Sequence, residues 1–181
     1  MIKNWPVLSS LQSLSCGIFS VRTDKTRSPK NGKIYDFYVI ETNPWVNVIP
    51  ITEDNKVVMV KQFRHGIKGI TLEIPGGLVD PGYTPKEAGK KELLEETGYE
   101  SESFELIGRI FPQPAIQNNE CFIYLAQNVI KTHPLNLEET EDIETVLVPI
   151  ENISKMIKKG EIKHGIVITA FFFYYLKKGL L

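Results

Sequence analysis

The sequence predicts a mixed α/β (α+β) fold: a mixed β-sheet covered by helices. Three observations carry the prediction. The first half is dense in short β-branched and aromatic runs separated by Asn, Asp, Gly and Pro. One strongly capped helix follows them near mid-chain, and two helical segments close the chain. With 181 residues, 42% apolar and 24% charged, the chain can bury a full core as one domain, or as one domain with a small appendage.

Taken in order, "GIFSVRTD", "KIYDFYVIET" and "VNVIPIT" read as strands, partly alternating in polarity. A turn over Glu53–Lys56 leads into "NKVVMVKQF", residues 55–63, and the short run "TLEIP", 71–75, enters a glycine pair. The clearest helix then begins at Thr84, a good N-cap. Pro85 suits the first helical position, and Glu87 completes a capping box. The helix runs to Thr97, and Gly98 supplies the left-handed stop. Strands resume in "FELIGRIF", "ECFIYLAQ" and "IETVLVPI", with the polar, acidic loop 131–142 before the last. Helices over roughly 151–159 and 165–178 end at Gly160 and Gly179.

Composition excludes several classes of function. A net charge of -1 gives no reason to expect a nucleic acid or an anionic membrane as partner. Cys16 and Cys121 stand far apart without metal-ligand spacing, so neither a disulfide framework nor a zinc site is expected, and a reducing cytoplasm is the default. The N-terminal "MIKNWPVLSSLQSLSCGIF" lacks the continuous apolar region of a signal peptide. The apolar stretch 166–176 is too short to span a bilayer and reads as a buried or interface helix. His65, His133 and His164 show neither ligand nor triad spacing and receive no role.

The central helix carries the chemistry. At 100° per residue, Glu92, Glu95 and Glu96 fall within an arc of about 100°, with Ala88 and Gly89 one turn earlier leaving the acids unscreened. Leu93, Leu94 and Thr97 point toward the core. Two carboxylates about 6 Å apart repel by roughly 3 kcal/mol at an effective dielectric near 20. Solvent and the i,i+4 lysine pairs Glu87–Lys91 and Lys91–Glu95 can relieve this, and so can a cation. Two features favour the cation. Gly76–Gly77 lets backbone approach a ligand closely, and Asp80-Pro81-Gly82 turns the loop back to the helix. A carbonyl near Gly76 can then join glutamate oxygens around a hard divalent ion, for which Mg²⁺ fits best and Mn²⁺ is a substitute.

Gly77 and the run Lys91-Glu92-Leu93-Leu94-Glu95-Glu96-Thr97-Gly98-Tyr99 resemble, at the correct spacing, the signature box of the Nudix hydrolases. Two positions depart from it: Tyr83 stands where the family has Glu, and Lys91 where it has Arg. Those two family residues usually pair, so their joint replacement suggests an exchanged salt bridge, with Lys91 turning to Glu87. The resemblance implies an α/β/α sandwich, and an enzyme whose metal-binding Glu92, Glu95 and Glu96, with Gly76, serve hydrolysis of a phosphoric anhydride bond.

The resemblance extends through most of residues 35–178 and points to one branch. "VKQFRHG", "LEIPGG" and "TEDI" (140–143) look like ADP-ribose and nucleoside-diphosphate-sugar pyrophosphatases. That branch implies that Arg64 lies near the substrate phosphates; the residues alone equally suggest an ion pair with Glu73, which can both pair with Arg64 and approach the metal site. Pro114, sixteen residues past Gly98, matches another mark of the branch, although Gln-Pro-Ala replaces its commoner Ser-Pro-Gly. Asn118 and Asn119 either hydrogen-bond a sugar or base, or cap a turn. In the acidic loop the alignment places Glu139 as the base, with Glu141 a metal contact and Glu138 a competitor.

Related enzymes pair through N-terminal strands, which implies a homodimer here. Residues 1–33 are expected to form a dimerising β extension, with Trp5, Phe19 and Val21 in need of cover, and 34–181 the Nudix domain. Trp45 and Phe37 would then line a cleft completed by the second subunit and stack on the base. The implied activity is Mg²⁺-dependent cleavage of ADP-ribose or another nucleoside diphosphate sugar to a nucleoside monophosphate and a sugar phosphate. A Nudix hydrolase of dinucleoside polyphosphates or NADH, and a catalytically silent nucleotide-sugar-binding regulator, are the alternatives.

Overall fold

The computed structural model describes residues 1–137 and 139–181. It divides into two compact units: Met1–Asn43 with Phe111–Glu120, and Pro44–Ile110 with Cys121–Leu181.

The first unit is a three-stranded antiparallel sheet of β1 (Val7–Cys16), β2 (Phe19–Arg27) and β3 (Ile34–Thr42), in that order. β1, "VLSSLQSLSC", escapes the propensity reading because its serines dilute the strand signal. It forms because its backbone pairs with β2 from Val7↔Thr26 to Cys16↔Phe19, with irregularities between Val7 and Ser9 and between Gln12 and Leu14. β3 pairs with β2 from Phe19↔Thr42 to Arg27↔Ile34. The N-terminal sheet therefore runs on to Thr42, beyond the expected boundary at residue 33. Ile40 exchanges backbone hydrogen bonds with Ile116 and Asn118, which ties the segment 111–120 to this sheet. Arg22 bridges Asp24 and Glu41 across it, and Ser10 also donates to Asp24. Trp5 packs edge-on against Phe37, with centroids 5.5 Å apart. Leu8, Leu11 and Leu14 stay exposed.

The second unit is built on a seven-stranded mixed sheet. Its strands are β4 (Trp45–Ile51), β5 (Lys56–Arg64), β6 (Gly69–Glu73), β7 (Gly76–Leu78), β9 (Ser103–Ile110), β10 (Cys121–Gln127) and β12 (Ile143–Pro149). The order β12-β5-β4-β10-β9 has one parallel pair, β4 with β10. A two-stranded ribbon joins β8 (Tyr99–Glu100) to β11 (Ile130–Lys131). Helix α1 (Pro85–Thr97) covers one face, where Ala88 and Leu93 pack with Val46, Val48, Val58, Tyr124 and Ala126. Helices α2 (Ile153–Lys159) and α3 (Gly165–Lys177) cover the other, where Ile153, Val167, Ala170 and Phe171 pack with Ile49, Met59, Ile123 and Leu125. Alternate residues of β4, β5 and β10 thus enter opposite cores, which is why these strands read as continuous apolar runs. The α/β/α sandwich is as expected.

One irregularity of the sheet prepares the site. β4 and β5 pair only at Ile51↔Val57 and then diverge. β6 fills the fork on the β5 side, and β7 on the β4 side. The fork brings Glu73, Gly76 and Gly77 into the sheet beside α1.

Candidate active site

Helix α1 is fixed at both ends as the sequence predicts. The Thr84 hydroxyl accepts the Glu87 N–H, Glu87 accepts the Thr84 N–H, and Gly98 takes the left-handed conformation with φ 74°. Gly98 also meets the acidic loop. The N–H groups of Thr132 and His133 donate to its carbonyl, and Asn136 N–H donates to Glu95 O. A Cβ at Gly98 would lie 2.1 Å from the His133 carbonyl oxygen, so glycine is required on space as well as on φ. The loop carrying the candidate base is in this way tied to the last turn of α1.

The three helix acids do not share one environment. Glu96 is buried, 3% exposed, and its Oε2 accepts the Gly76 N–H at 3.0 Å. Around the axis Glu96 lies next to Gly89 and Leu93, the line of closest approach to the sheet. Gly89 is accordingly packed in the core: a Cβ there would meet Val46, Phe104 and Val48 at 2.9–3.3 Å. Ala88 is buried too, so these small residues serve helix–sheet contact and do not leave an open face beside the acids. Glu92 is half-buried, and its carboxylate lies against Gly77, where a Cβ would come within 2.5 Å of Oε1. Glu95 pairs with Lys91 at 3.2 Å. That corrects the expected Lys91–Glu87 exchange, because Glu87 is committed to the cap. Tyr83, exposed, donates its backbone N–H to Asp80 O.

Electrostatics link these acids to their neighbours. Burial first, then the negative charge of Glu92, push the Glu96 carboxyl up to about 8; Glu141 adds to the effect, while the Gly76 N–H and Arg64 oppose it. Glu141, half-buried just before β12, is therefore the loop acid felt at Glu96. Glu139 lies on an exposed turn, and Glu138 lies outside the described residues. β12 enters beside β5 at Ile143↔Gln62, which places Glu141 toward the Arg64 end. Arg64 forms a bidentate pair with Glu73, Nε–Oε1 2.8 Å and Nη2–Oε2 2.7 Å, and also feels Glu96 and Glu141. Thr71 donates its hydroxyl to the same Glu73 carboxylate, which is almost fully buried. His164, to which the sequence assigned nothing, sits with Nε2 3.8 Å from Glu73 Oε2. No spacing could have disclosed it, since it comes from the start of α3, 91 positions beyond Glu73.

The remaining expected residues lie as follows. Trp45 is half-buried and packs against the core cluster on the α2–α3 face. Pro114 is exposed. Asn118 Oδ1 accepts the Thr42 N–H, and buried Asn119 donates to Asn43 O, so both asparagines hold the N-terminal unit together. A cavity of about 480 Å³, lined by Lys90, Leu94, Ser101, Gln127 and Ile130, contains none of the expected catalytic residues.

A family model for the NUDIX domain matches residues 42–171, most of the chain. The chain belongs to the Nudix family. The match begins close to Pro44, where the second unit starts. Two relatives cover most of the Nudix chain. An ADP-ribose pyrophosphatase of Bacillus subtilis (strain 168) is 28% identical over 83% of this chain and 82% of its own length. A methanol dehydrogenase activator of Bacillus methanolicus is 28% identical over 93% and 91%. A crystal structure of an ADP compounds hydrolase superposes with a TM-score of 0.86, covering 100% of this chain and 99% of that one at 19% identity, a likeness of fold. The expected family agrees with the family match, and its ADP-ribose pyrophosphatase branch and hydrolysis of phosphoric anhydride bonds agree with the Bacillus subtilis relative.

Nudix hydrolases generally need a divalent metal, and the residues here fit one. A carboxyl pushed up first by burial and then by neighbouring carboxylates is a group that a hard cation relieves. Among the described residues no three acids are already gathered as a ready-made cage. No helix among the described residues is long and apolar enough to cross a membrane.

Proposed function

We propose that this Nudix chain is a Mg²⁺-dependent pyrophosphohydrolase, with Mn²⁺ as a substitute, that cleaves ADP-ribose or another nucleoside diphosphate sugar. The products are a nucleoside monophosphate and a sugar phosphate. One observation carries the reading: buried Glu96 feels the negative charges of both Glu92 and Glu141, with Arg64 near enough to oppose them. A buried carboxyl that feels two further acids and one guanidinium suits a bound cation and a pyrophosphate together. The name of the Bacillus subtilis relative supports ADP-ribose as substrate.

In this reading Glu92, Glu95, Glu96, Glu141 and the backbone of Gly76 hold the cation. The bound cation supplies positive charge against the pyrophosphate oxygens and acidifies water. Arg64, held in plane by Glu73, orients the phosphates. Glu139 takes the proton of the attacking water, with Glu138 and Glu141 as competitors for that role. One P–O bond of the bridge breaks as another forms to water oxygen, and the bridge oxygen leaves with one phosphate. The protein works as a cytoplasmic homodimer joined through its N-terminal sheet, a reading supported by the exposed leucines of β1.

A second reading, a nucleotide-sugar-binding regulator, is favoured by the name of the Bacillus methanolicus relative and by Tyr83 and Lys91 at the two altered motif positions. A screen of ADP-ribose, GDP-mannose, UDP-glucose, NADH and diadenosine polyphosphates with Mg²⁺ and with Mn²⁺ separates the two. The enzyme reading expects AMP and ribose 5-phosphate from ADP-ribose. Binding without turnover in either ion favours the regulator.

A further inference from the structure

We propose that His164 is a positioning residue that fixes the Arg64 guanidinium through the Glu73 carboxylate. The inference rests on the reading that Arg64 contacts the substrate phosphates.

Glu73 presents two oxygens to a crowded surrounding. Oε1 accepts from Arg64 Nε and from the Thr71 hydroxyl. Oε2 accepts from Arg64 Nη2 at 2.7 Å and has His164 Nε2 at 3.8 Å. The carboxylate is the terminal group of a soft torsion, so whatever bounds it on its second side decides its plane. A guanidinium bound to it through two parallel hydrogen bonds shares that plane. His164 is the one histidine that approaches this pair among the described contacts.

The mounting of the ring supports this role. His164 stands at the N-cap position of α3, yet its side chain makes no cap hydrogen bond. Nδ1 is buried without a hydrogen-bond partner among the described residues. Burying a ring nitrogen in that way is unfavourable and needs an offset elsewhere. The neighbouring carboxylate, which attracts the ring's Nε2 edge, is the available source. α3 is anchored by buried Val167, Ala170 and Phe171, so the ring is carried on a rigid element. The fold thus applies the second layer of helices to a pair that arises on the sheet.

Two measurements on wild type, His164→Ala, His164→Gln and His164→Leu test the proposal. The first is the solvent-exchange rate of the Arg64 Nε–H by NMR without substrate. The second is the KM and kcat for ADP-ribose with Mg²⁺, each also in an Arg64→Ala background. Expected is faster Nε–H exchange in His164→Ala and His164→Leu, with near-wild-type exchange in His164→Gln, whose amide N–H can face the same carboxylate oxygen. KM should rise about tenfold in the same two variants while kcat changes less than about threefold. In the Arg64→Ala background the His164 substitutions should add nothing. Unchanged Nε–H exchange in His164→Ala overturns the proposal, as does rescue by Leu equal to that by Gln, which would mean packing alone. Faster exchange with unchanged KM would uphold the positioning and sink the phosphate role of Arg64.

Discussion

Glu96 on α1 and Gly76 at the start of β7 are joined by a hydrogen bond: the Gly76 N–H donates to Glu96 Oε2 at 3.0 Å. The bond joins the helix to the strand that fills the β4 side of the fork and locks a buried carboxylate to the backbone that approaches it. The contact of Gly76 with the helix acids is made by its N–H, which leaves its carbonyl for the proposed cation. A Cβ at Gly76 would come within 2.2 Å of the Val46 carbonyl oxygen, so the approach exists only with glycine.

Glu96→Gln should cut turnover by roughly a hundredfold or more, about 2.7 kcal/mol of barrier, while leaving the fold intact. The amide keeps the shape but removes a charge from the metal shell. Glu92→Gln should behave nearly alike. Steady-state rates with saturating Mg²⁺ and a far-UV spectrum check it, and near-wild-type rates in both variants would mean that the helix acids are misread.

The metal-free protein should lose stability as pH rises through the range set by Glu96. Its folded carboxyl is pushed up to about 8 from the ordinary 4.5, by burial first and by Glu92 next. The folded state therefore holds a proton that the unfolded state releases. That contribution is complete below about pH 4.5 and is lost as pH climbs to about 8, with a slope of at most ~1.4 kcal/mol per pH unit. Urea midpoints in EDTA at pH 5, 7 and 9 measure it. Glu96→Gln should flatten the slope and be the more stable variant at pH 9.

Gly77→Ala should weaken divalent-cation binding more than it weakens the fold. The added Cβ meets Glu92 Oε1 at 2.5 Å, and Glu92 is the far end of a flexible side chain that can swing away. Mn²⁺ titration followed by water-proton relaxation reads the affinity, and thermal melting reads the fold. A variant that melts early but binds Mn²⁺ normally contradicts this.

Tyr83→Phe should change the rate little, and Tyr83→Glu should be tolerated. The side chain is about half exposed, 49%, and it is the backbone that fastens this residue to Asp80. A hundredfold loss in Tyr83→Phe would place the hydroxyl in the chemistry.

Leu11→Glu combined with Leu14→Glu should yield a monomer. Both side chains are exposed in β1, so the exchange costs the folded chain little. Light scattering at micromolar concentration should give twice the 20.6 kDa of one chain for wild type and a single chain mass for the variant. A wild-type species of one chain mass ends the dimer reading.

By itself the sequence determined the local structure and the family. Thr84, Pro85, Glu87 and Gly98 fix α1 through caps that involve residues only a few positions apart, and the apolar runs of β4, β5 and β10 announce strands, whose burial on both faces the packing then decides. The spacing from Gly77 to Gly98 disclosed the family's signature and the acids of α1 because a helix converts spacing directly into direction. Only the tertiary structure decided how alike the three acids are. Glu96 faces the sheet and is buried, Glu92 rests on Gly77, and Glu95 turns to Lys91. It also decided that β1 is a strand, because a serine-rich segment gains its ladder from a partner strand and not from its own propensity. His164 beside Glu73 belongs to the same class: contacts between residues distant in the chain depend on how layers pack, and no local pattern encodes them.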